Sequence, residues 1–314
     1  MPGRLVVVAG PTGSGKSELA LRLAETFQGE IVGCDSVQIY RRFDIGSAKT
    51  PVSERRGIPH HLIDICDADE VFTAGEYAAR ARQALAEIAE RGHVAVVVGG
   101  TGFYLRALLE GLFPGPRRDE QLRERLSQRE SQRPGSLHRL LRRLDRASAQ
   151  RIHVNDVNKT LRALEVTLLA RQPMSELFAK GRDELAGFEI CKVGLNPARA
   201  ELNARLDQRV VSMFQSGLLD EVHRLKSVPR VKPFESLGYR QALAHVQGQL
   251  SLEEAIASTQ LETRQYAKRQ MTWFRRDREI RWFAGFGSDP AIEKDVLEYV
   301  RACLSAVPDT DSGR

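Results

Sequence analysis

At 314 residues the chain can bury one sizeable core and still leave room for a second, smaller unit. Its 42% hydrophobic and 28% charged content excludes wholesale disorder, and the lack of any run of about eighteen apolar residues excludes a helical membrane span. Lysines and arginines number 47 against 41 acids, and the stretch Arg117 to Arg151 alone holds eleven arginines against five acids, so the basic surplus of six is local.

The first predicted element is a buried strand, Leu5 to Ala9, a β-branched run closed by glycine and proline. A helix follows from about Lys16, with Leu19, Leu23 and Phe27 on one face and Gly29 as its stop. Glu30 to Cys34 then reads as a second strand. Thr73 caps a helix striped by Tyr77, Ala81, Leu85 and Ile88, stopped at Arg91-Gly92, and Val94 to Val98 is a further buried strand. Apolar strands alternating with amphipathic helices predict a parallel sheet covered on both faces.

After Pro114-Gly115-Pro116 the pattern becomes arginine-rich and helical, broken at Pro134-Gly135 and running toward Leu169. Phe188 to Leu195 returns as a strand, and a helix starting near Pro197 carries Leu202, Leu206, Val210 and Met213. Helices over Gly238 to Val246 and Ser251 to Arg275, a short strand Ile280 to Phe283, and a last helix from Pro290 to Leu304 complete the order. The expected organisation is an α/β fold, a P-loop NTPase-like parallel sheet flanked by helices. Residues 1–115 and 188–314 form the core, 116–187 an all-helical insertion, and 306–314 a flexible tail.

The octapeptide GPTGSGKS fits G-x-x-x-x-G-K-[ST] between strand and helix, the context that phosphate binding requires. Gly10, Pro11, Thr12, Gly13, Ser14 and Gly15 form the loop whose backbone N–H groups converge on phosphate oxygens. Lys16 adds a point charge there and Ser17 can hold Mg2+. Asp35, just past a strand, lies where open α/β sheets bind ligands; it can accept a proton from a nucleophile, bind Mg2+ through water, or merely cap the turn with Ser36. Gly99-Gly100-Thr101 stands at the next strand end, where P-loop ATPases carry an acid; here there is none, which suits a small ligand or a plain turn.

Arg205 and Arg209, four apart on a helix, can converge on an anion or face solvent. His60-His61 have no ligand partners at zinc spacing, and Cys34, Cys66, Cys191 and Cys303 form no CxxC pair, which points to a reducing, cytoplasmic setting and no disulfide framework. The arginines of 117–151, and Lys268, Arg269, Arg275 and Arg276 near Trp273, suit RNA phosphates or a solvated face. On these residues alone a small-molecule or nucleotide kinase and a non-enzymatic RNA-binding module stay open beside a transferase.

Six segments in order resemble the tRNA dimethylallyltransferase family, also called tRNA isopentenyltransferases: GPTGSGKS, CDSVQIYRRFDIGSAK from Cys34, VVGGTGFYLRALLEG from Val97, RIHVNDVNKTLRALEV from Arg151, ESLGYRQ from Glu235, and RQYAKRQMTWFRR from Arg264. The resemblance implies transfer of a dimethylallyl group from dimethylallyl diphosphate to the N6 amine of the adenine 3′ to the anticodon, at tRNA position 37. The P-loop then holds a diphosphate. By the same resemblance Asp35 is the general base, Lys16 and Arg209 bind diphosphate, Ser17 serves Mg2+, and Thr101 lies between donor and adenine. The implied tRNA contacts are Asp35, Ser36, Val37, Gln38, Thr101, Arg123, Asn158, Lys159, Thr160, Leu161, Arg162, Glu235, Ser236, Leu237, Gly238, Tyr239 and Arg240.

The arginine-rich insertion would grip the anticodon stem-loop. Departures from the family pattern are Thr50 between Lys49 and Pro51 and Val157 after Asn155-Asp156, neither at a proposed catalytic group. Only Cys303 follows the core where some eukaryotic relatives append a zinc finger, so a bacterial form is expected, acting as a monomer without a membrane partner.

Overall fold

The structure, a computed structural model, describes residues 2–226 and 232–305, so the tail expected at 306–314 lies outside the described residues. In chain order it runs β1 (Gly3–Ala9), α1 (Lys16–Phe27), β2 (Gly29–Gly33), β3 (His60–His61), α2 (Ala74–Glu90), β4 (Val94–Val98) and α3 (Gly102–Leu109). Five helices follow: α4 (Glu120–Gln132), α5 (Ser136–Leu144), α6 (Arg146–Arg151), α7 (Val157–Ala170) and α8 (Met174–Ala179). The chain then continues through β5 (Phe188–Leu195), α9 (Arg199–Gln215), α10 (Leu218–Leu225), α11 (Tyr239–Val246), α12 (Leu252–Phe274), β6 (Arg281–Phe283) and α13 (Pro290–Ser305).

Two compact units result. One holds the described residues up to Leu109 and from Leu185 onward, the other Glu110–Glu184. In the first, six parallel strands lie in the order β3-β2-β4-β1-β5-β6. Both faces of the central strands are covered, which is why β1 and β4 read as unbroken apolar runs. Leu19 and Leu23 of α1 and Val296 and Val300 of α13 join the sheet residues Val6, Val96 and Val193 in one core.

Register sets the functional edge. Val8 pairs with Val98, and Gly33 with Val98 on its other side, so the loops after β1, β2 and β4 leave three neighbouring strands at one level. Ligands of such sheets bind outside these carboxyl ends. A second core, built by Ile39, Tyr40 and Phe43 with Val210, Phe214, Leu218, Val222 and Tyr239, fastens the segment after β2 to α9, α10 and α11.

The second unit packs Leu126, Leu137, Leu141, Leu161 and Leu164 into a small helical core. Its fully buried Glu165 is held by Arg123 at 3.1 Å, Arg162 at 2.6 Å and the Asp119 backbone N–H at 2.8 Å. Among the described residues no helix is long and apolar enough to cross a membrane.

Three details differ from the sequence expectations. Helix α1 closes on Gln28 in the left-handed conformation, and Gly29 already belongs to β2. The helices α3 and α10 were not foreseen, because α3 is largely apolar and buried while α10 is only eight residues long. His60 and His61 make the two-residue edge strand β3, where His61 Nε2 lies 2.7 Å from Glu30.

Candidate active site

The loop after β1 ends on Gly15, whose φ of 86° is a left-handed geometry that a side chain would strain; it is also the N-cap of α1. A Cβ there would meet the Gly287 nitrogen at 2.9 Å, and Gly287 N donates to Ser14 O at 2.9 Å, so the segment after β6 braces the loop from behind. The α1 N-terminus thereby presents free N–H groups and positive potential to the cavity. Lys16 Nζ donates to Pro11 O at 2.7 Å. Burial, and then the neighbouring Arg209 guanidinium, lower Lys16 to about 7, while Asp35 acts in the opposite sense.

At the ends of β2 and β4, Cys34 N donates to Val98 O at 2.8 Å and Thr101 N to Cys34 O at 3.2 Å. These bonds bring Asp35 and Thr101 to one edge. Ser36 N donates to Thr101 Oγ1 at 3.1 Å, and the Thr101 hydroxyl donates back to Ser36 Oγ at 3.5 Å, which ties the two side chains together at the cavity edge. Asp35 Oδ1 accepts from Val37 N at 2.8 Å and from Gln38 N at 3.3 Å, an Asx turn that aims the carboxylate. Among the described residues its Oδ2 accepts nothing. Gln38 in turn donates to Ser47 O at 3.1 Å and tethers the next loop.

That loop rests on Glu221 of α10, a buried carboxylate that accepts from Asp44 N at 3.1 Å, Ile45 N at 3.0 Å and Tyr239 Oη at 2.5 Å. Helices α9 and α12 close the site with Arg209 and Tyr266. Burial lowers Arg209 with Asp35 opposing, and burial raises the Tyr266 phenol to about 12. Two cavities open here, of about 900 Å³ on the Lys16 and Ser17 side and about 340 Å³ beside Leu206, Val210 and Met213. Thr12, Asp35, Ser47, Arg209 and Tyr266 line both, so Asp35 stands where they meet.

A cationic phosphate-type loop, a carboxylate with a free oxygen and a second cavity can together serve attack by a nucleophile on a carbon that carries a phosphate leaving group. The model of the family described as IPP transferase matches residues 38–277. The chain belongs to the IPP transferase family. It is 60% identical over 303 residues to a tRNA dimethylallyltransferase of Solibacter usitatus (strain Ellin6076), covering 96% of this chain and 99% of that one. A tRNA dimethylallyltransferase of Koribacter versatilis (strain Ellin345) is 53% identical over 95% of this chain and 98% of its own.

Among solved structures, a eukaryotic dimethylallyltransferase described as acting on tRNA is similar with a TM-score of 0.80 at 28% identity, over 96% of this chain and 77% of that one. The full-length tRNA isopentenylpyrophosphate transferase of Bacillus halodurans gives a TM-score of 0.69 at 32% identity, over 96% and 98%.

Of the residues singled out in the sequence, the fold brings Gly13, Gly15, Lys16, Ser17, Asp35, Gln38 and Arg209 around the larger cavity. It lines the smaller one with Ser36, Val37, Glu235, Ser236, Leu237, Gly238 and Arg240. Some expected tRNA contacts are not available as surface. Tyr239 is wholly buried with its hydroxyl on Glu221, because its ring packs edge-on to Phe43 in the second core. Thr160 and Leu161 point into the helical core of the other unit, where only Asn158 and Lys159 of that run are exposed. Arg123 and Arg162 are engaged by Glu165.

Arg205, four residues before Arg209, stacks over Phe286 at 4.8 Å and reaches Ser288 at 3.2 Å. Sequence reasoning missed Glu221, Tyr266 and Gln270. The last two lie inside the RQYAKRQMTWFRR segment, where their spacing of four on one helix face was the available signal.

Proposed function

We propose that this chain transfers a dimethylallyl group from dimethylallyl diphosphate to the exocyclic N6 amine of the adenine 3′ to the anticodon, at tRNA position 37, in tRNAs that read codons starting with U. The observation that carries this reading is the junction of two cavities at Asp35, one floored by a phosphate loop and the other roomy enough for a base. Membership of the family supports prenyl transfer to tRNA. The absence of an acid at Gly99-Gly100-Thr101 weighs against a kinase.

In this reading the adenine amine attacks the allylic carbon, a C–N bond forms, the C–O bond to diphosphate breaks, and the amine proton passes to Asp35. An adenine amine is a weak base, so its proton leaves only as positive charge grows on nitrogen, and a positioned carboxylate suffices. Lys16, Arg209 and the α1 N-terminus offset the charge gathering on the departing diphosphate. Thr101, whose hydroxyl has a long 3.5 Å contact to Ser36 Oγ to give up, orients the acceptor. Extruding the base from its stack costs about a few kcal/mol, which contacts around the smaller cavity offset. Exposed Asn158 and Lys159 and the arginines of Glu110–Glu184 suit phosphates of the anticodon stem-loop.

The exposed Ser17 hydroxyl opens on the same cavity as Lys16, a hard oxygen donor of the type Mg2+ takes alongside diphosphate oxygens and water. Ser17 would hold that ion, which when bound neutralises leaving-group charge. The chain is expected to work in the cytoplasm as a monomer. Purified protein with Mg2+, labelled dimethylallyl diphosphate and unmodified tRNA should yield prenylated adenosine, read by mass analysis of the nucleosides. ATP turnover without prenyl transfer would overturn the assignment.

A further inference from the structure

Gln270 on α12 is 5% exposed and uses both ends of its amide on backbone far away in sequence. Its Oε1 accepts from Thr12 N in the phosphate loop at 2.8 Å, and its Nε2 donates to Gly100 O in the turn after β4 at 2.9 Å. The polarity is dictated by the neighbours, since an N–H needs an acceptor and a carbonyl needs a donor. The fit is close: a Cβ on Gly100 would lie 2.1 Å from Nε2. One turn earlier on the same helix, Tyr266 lines both cavities. Two residues after Gly100, Gly102 packs against the Trp273 ring of α12, so the helix and the turn move as one.

We propose that Gln270 is a positioning residue, a two-ended amide staple that fixes the spacing between the phosphate loop and the Gly100-Thr101 turn. It acts on turnover rather than on the affinity for either substrate. The role rests on the reading above, in which the loop holds the donor diphosphate and Thr101 adjoins the acceptor. Donor and acceptor then depend on two different backbone segments, and a small drift between them costs rate, while the Gln270 amide, which borders the larger cavity, is already committed to Thr12 N and Gly100 O. A carboxylate at 270 can still accept from Thr12 N but turns a negative oxygen toward Gly100 O. A neutral carboxylic acid restores both bonds.

The test is steady-state prenyl transfer by the full chain with dimethylallyl diphosphate, Mg2+ and unmodified tRNA, for wild type, Gln270→Leu and Gln270→Glu. Expected are a kcat lowered about 10- to 100-fold in Gln270→Leu and KM values for both substrates within about threefold. The rate of Gln270→Glu relative to wild type should climb as pH falls from about 8 to about 6, as burial lifts the carboxyl into that range. Lys16, Asp35 and Arg209 are common to both proteins and cancel in that ratio, while Tyr266, whose phenol hydrogen-bonds the side chain at 270, is held up at about 12 and does not titrate over that range. Wild-type turnover in Gln270→Leu, a loss carried by KM alone, or a flat pH ratio for Gln270→Glu would overturn the role while leaving the activity standing. No transfer by the wild type would overturn both.

Discussion

Gly99 and Cys34 touch backbone to backbone: a Cβ on Gly99 would lie 2.0 Å from the Cys34 carbonyl oxygen and 2.7 Å from its Cα. This contact, between the ends of β4 and β2, lets Cys34 bond to Val98 on one side and Thr101 on the other. It is what holds Asp35 and Thr101 on one edge. Gly99→Ala must therefore push two strand ends apart, and a loss of about 3 kcal/mol is expected in urea unfolding, with prenyl transfer falling at least as steeply. Unchanged stability in that variant would show that the strand ends yield easily and do not set the site.

Asp35 has two separable tasks, because its Oδ1 closes the turn to Val37 and Gln38 while Oδ2 is left for a proton. Asp35→Asn keeps an oxygen for the turn and cannot serve as base at neutral pH. Asp35→Ala loses both. Both variants should lower the single-turnover rate by about 10²- to 10⁴-fold. Only the alanine should also lose stability, by about 1 kcal/mol for the broken turn. An asparagine variant of near-normal rate would remove Asp35 as base.

Lys16 at about 7 is half-charged near neutrality in the free protein. A bound diphosphate favours the ammonium and raises that value, so binding takes up a proton wherever the free lysine has lost one. Affinity for inorganic diphosphate should then decline as pH rises above about 7. Calorimetric titration in two buffers of different ionisation enthalpy should register the uptake at about pH 8, and Lys16→Met should lack it. Equal proton uptake in wild type and variant would assign the linkage to another group.

The strands β1 and β4 were legible because burial on both faces leaves a nearly continuous apolar run, and the phosphate loop because its chemistry sits in eight consecutive residues. What stayed hidden is held together across the chain. Gln270 meets Thr12 over 258 positions, and Glu221 meets Asp44 over 177, separations at which no local periodicity speaks. The ESLGYRQ segment shows the converse limit. Its linear run mixes exposed Glu235 and Arg240 with wholly buried Tyr239, and only packing against Phe43 separates the two kinds.

Glu30 offers the clearest acid-dependent contribution to stability. At the far end of β2 from Asp35, its buried carboxylate accepts from Arg91 Nε at 2.8 Å and Arg91 Nη2 at 2.9 Å, and lies 2.7 Å from His61 and 2.8 Å from His93. Arg91 foremost, then the two histidines, hold it at about 2 against an ordinary 4.5, with burial acting the other way. A depressed carboxyl stabilises the fold in full above its unfolded value and loses that stabilisation as pH falls through its folded one. Because Arg91 and His93 are themselves partly exposed, the contribution is about 2 kcal/mol rather than the full linkage value. Glu30→Gln should thus be less stable than wild type by about that amount near neutral pH. In urea unfolding the gap should narrow as pH drops from 4.5 toward 2. A gap that persists at low pH would mean the side chain matters for its shape and not its charge.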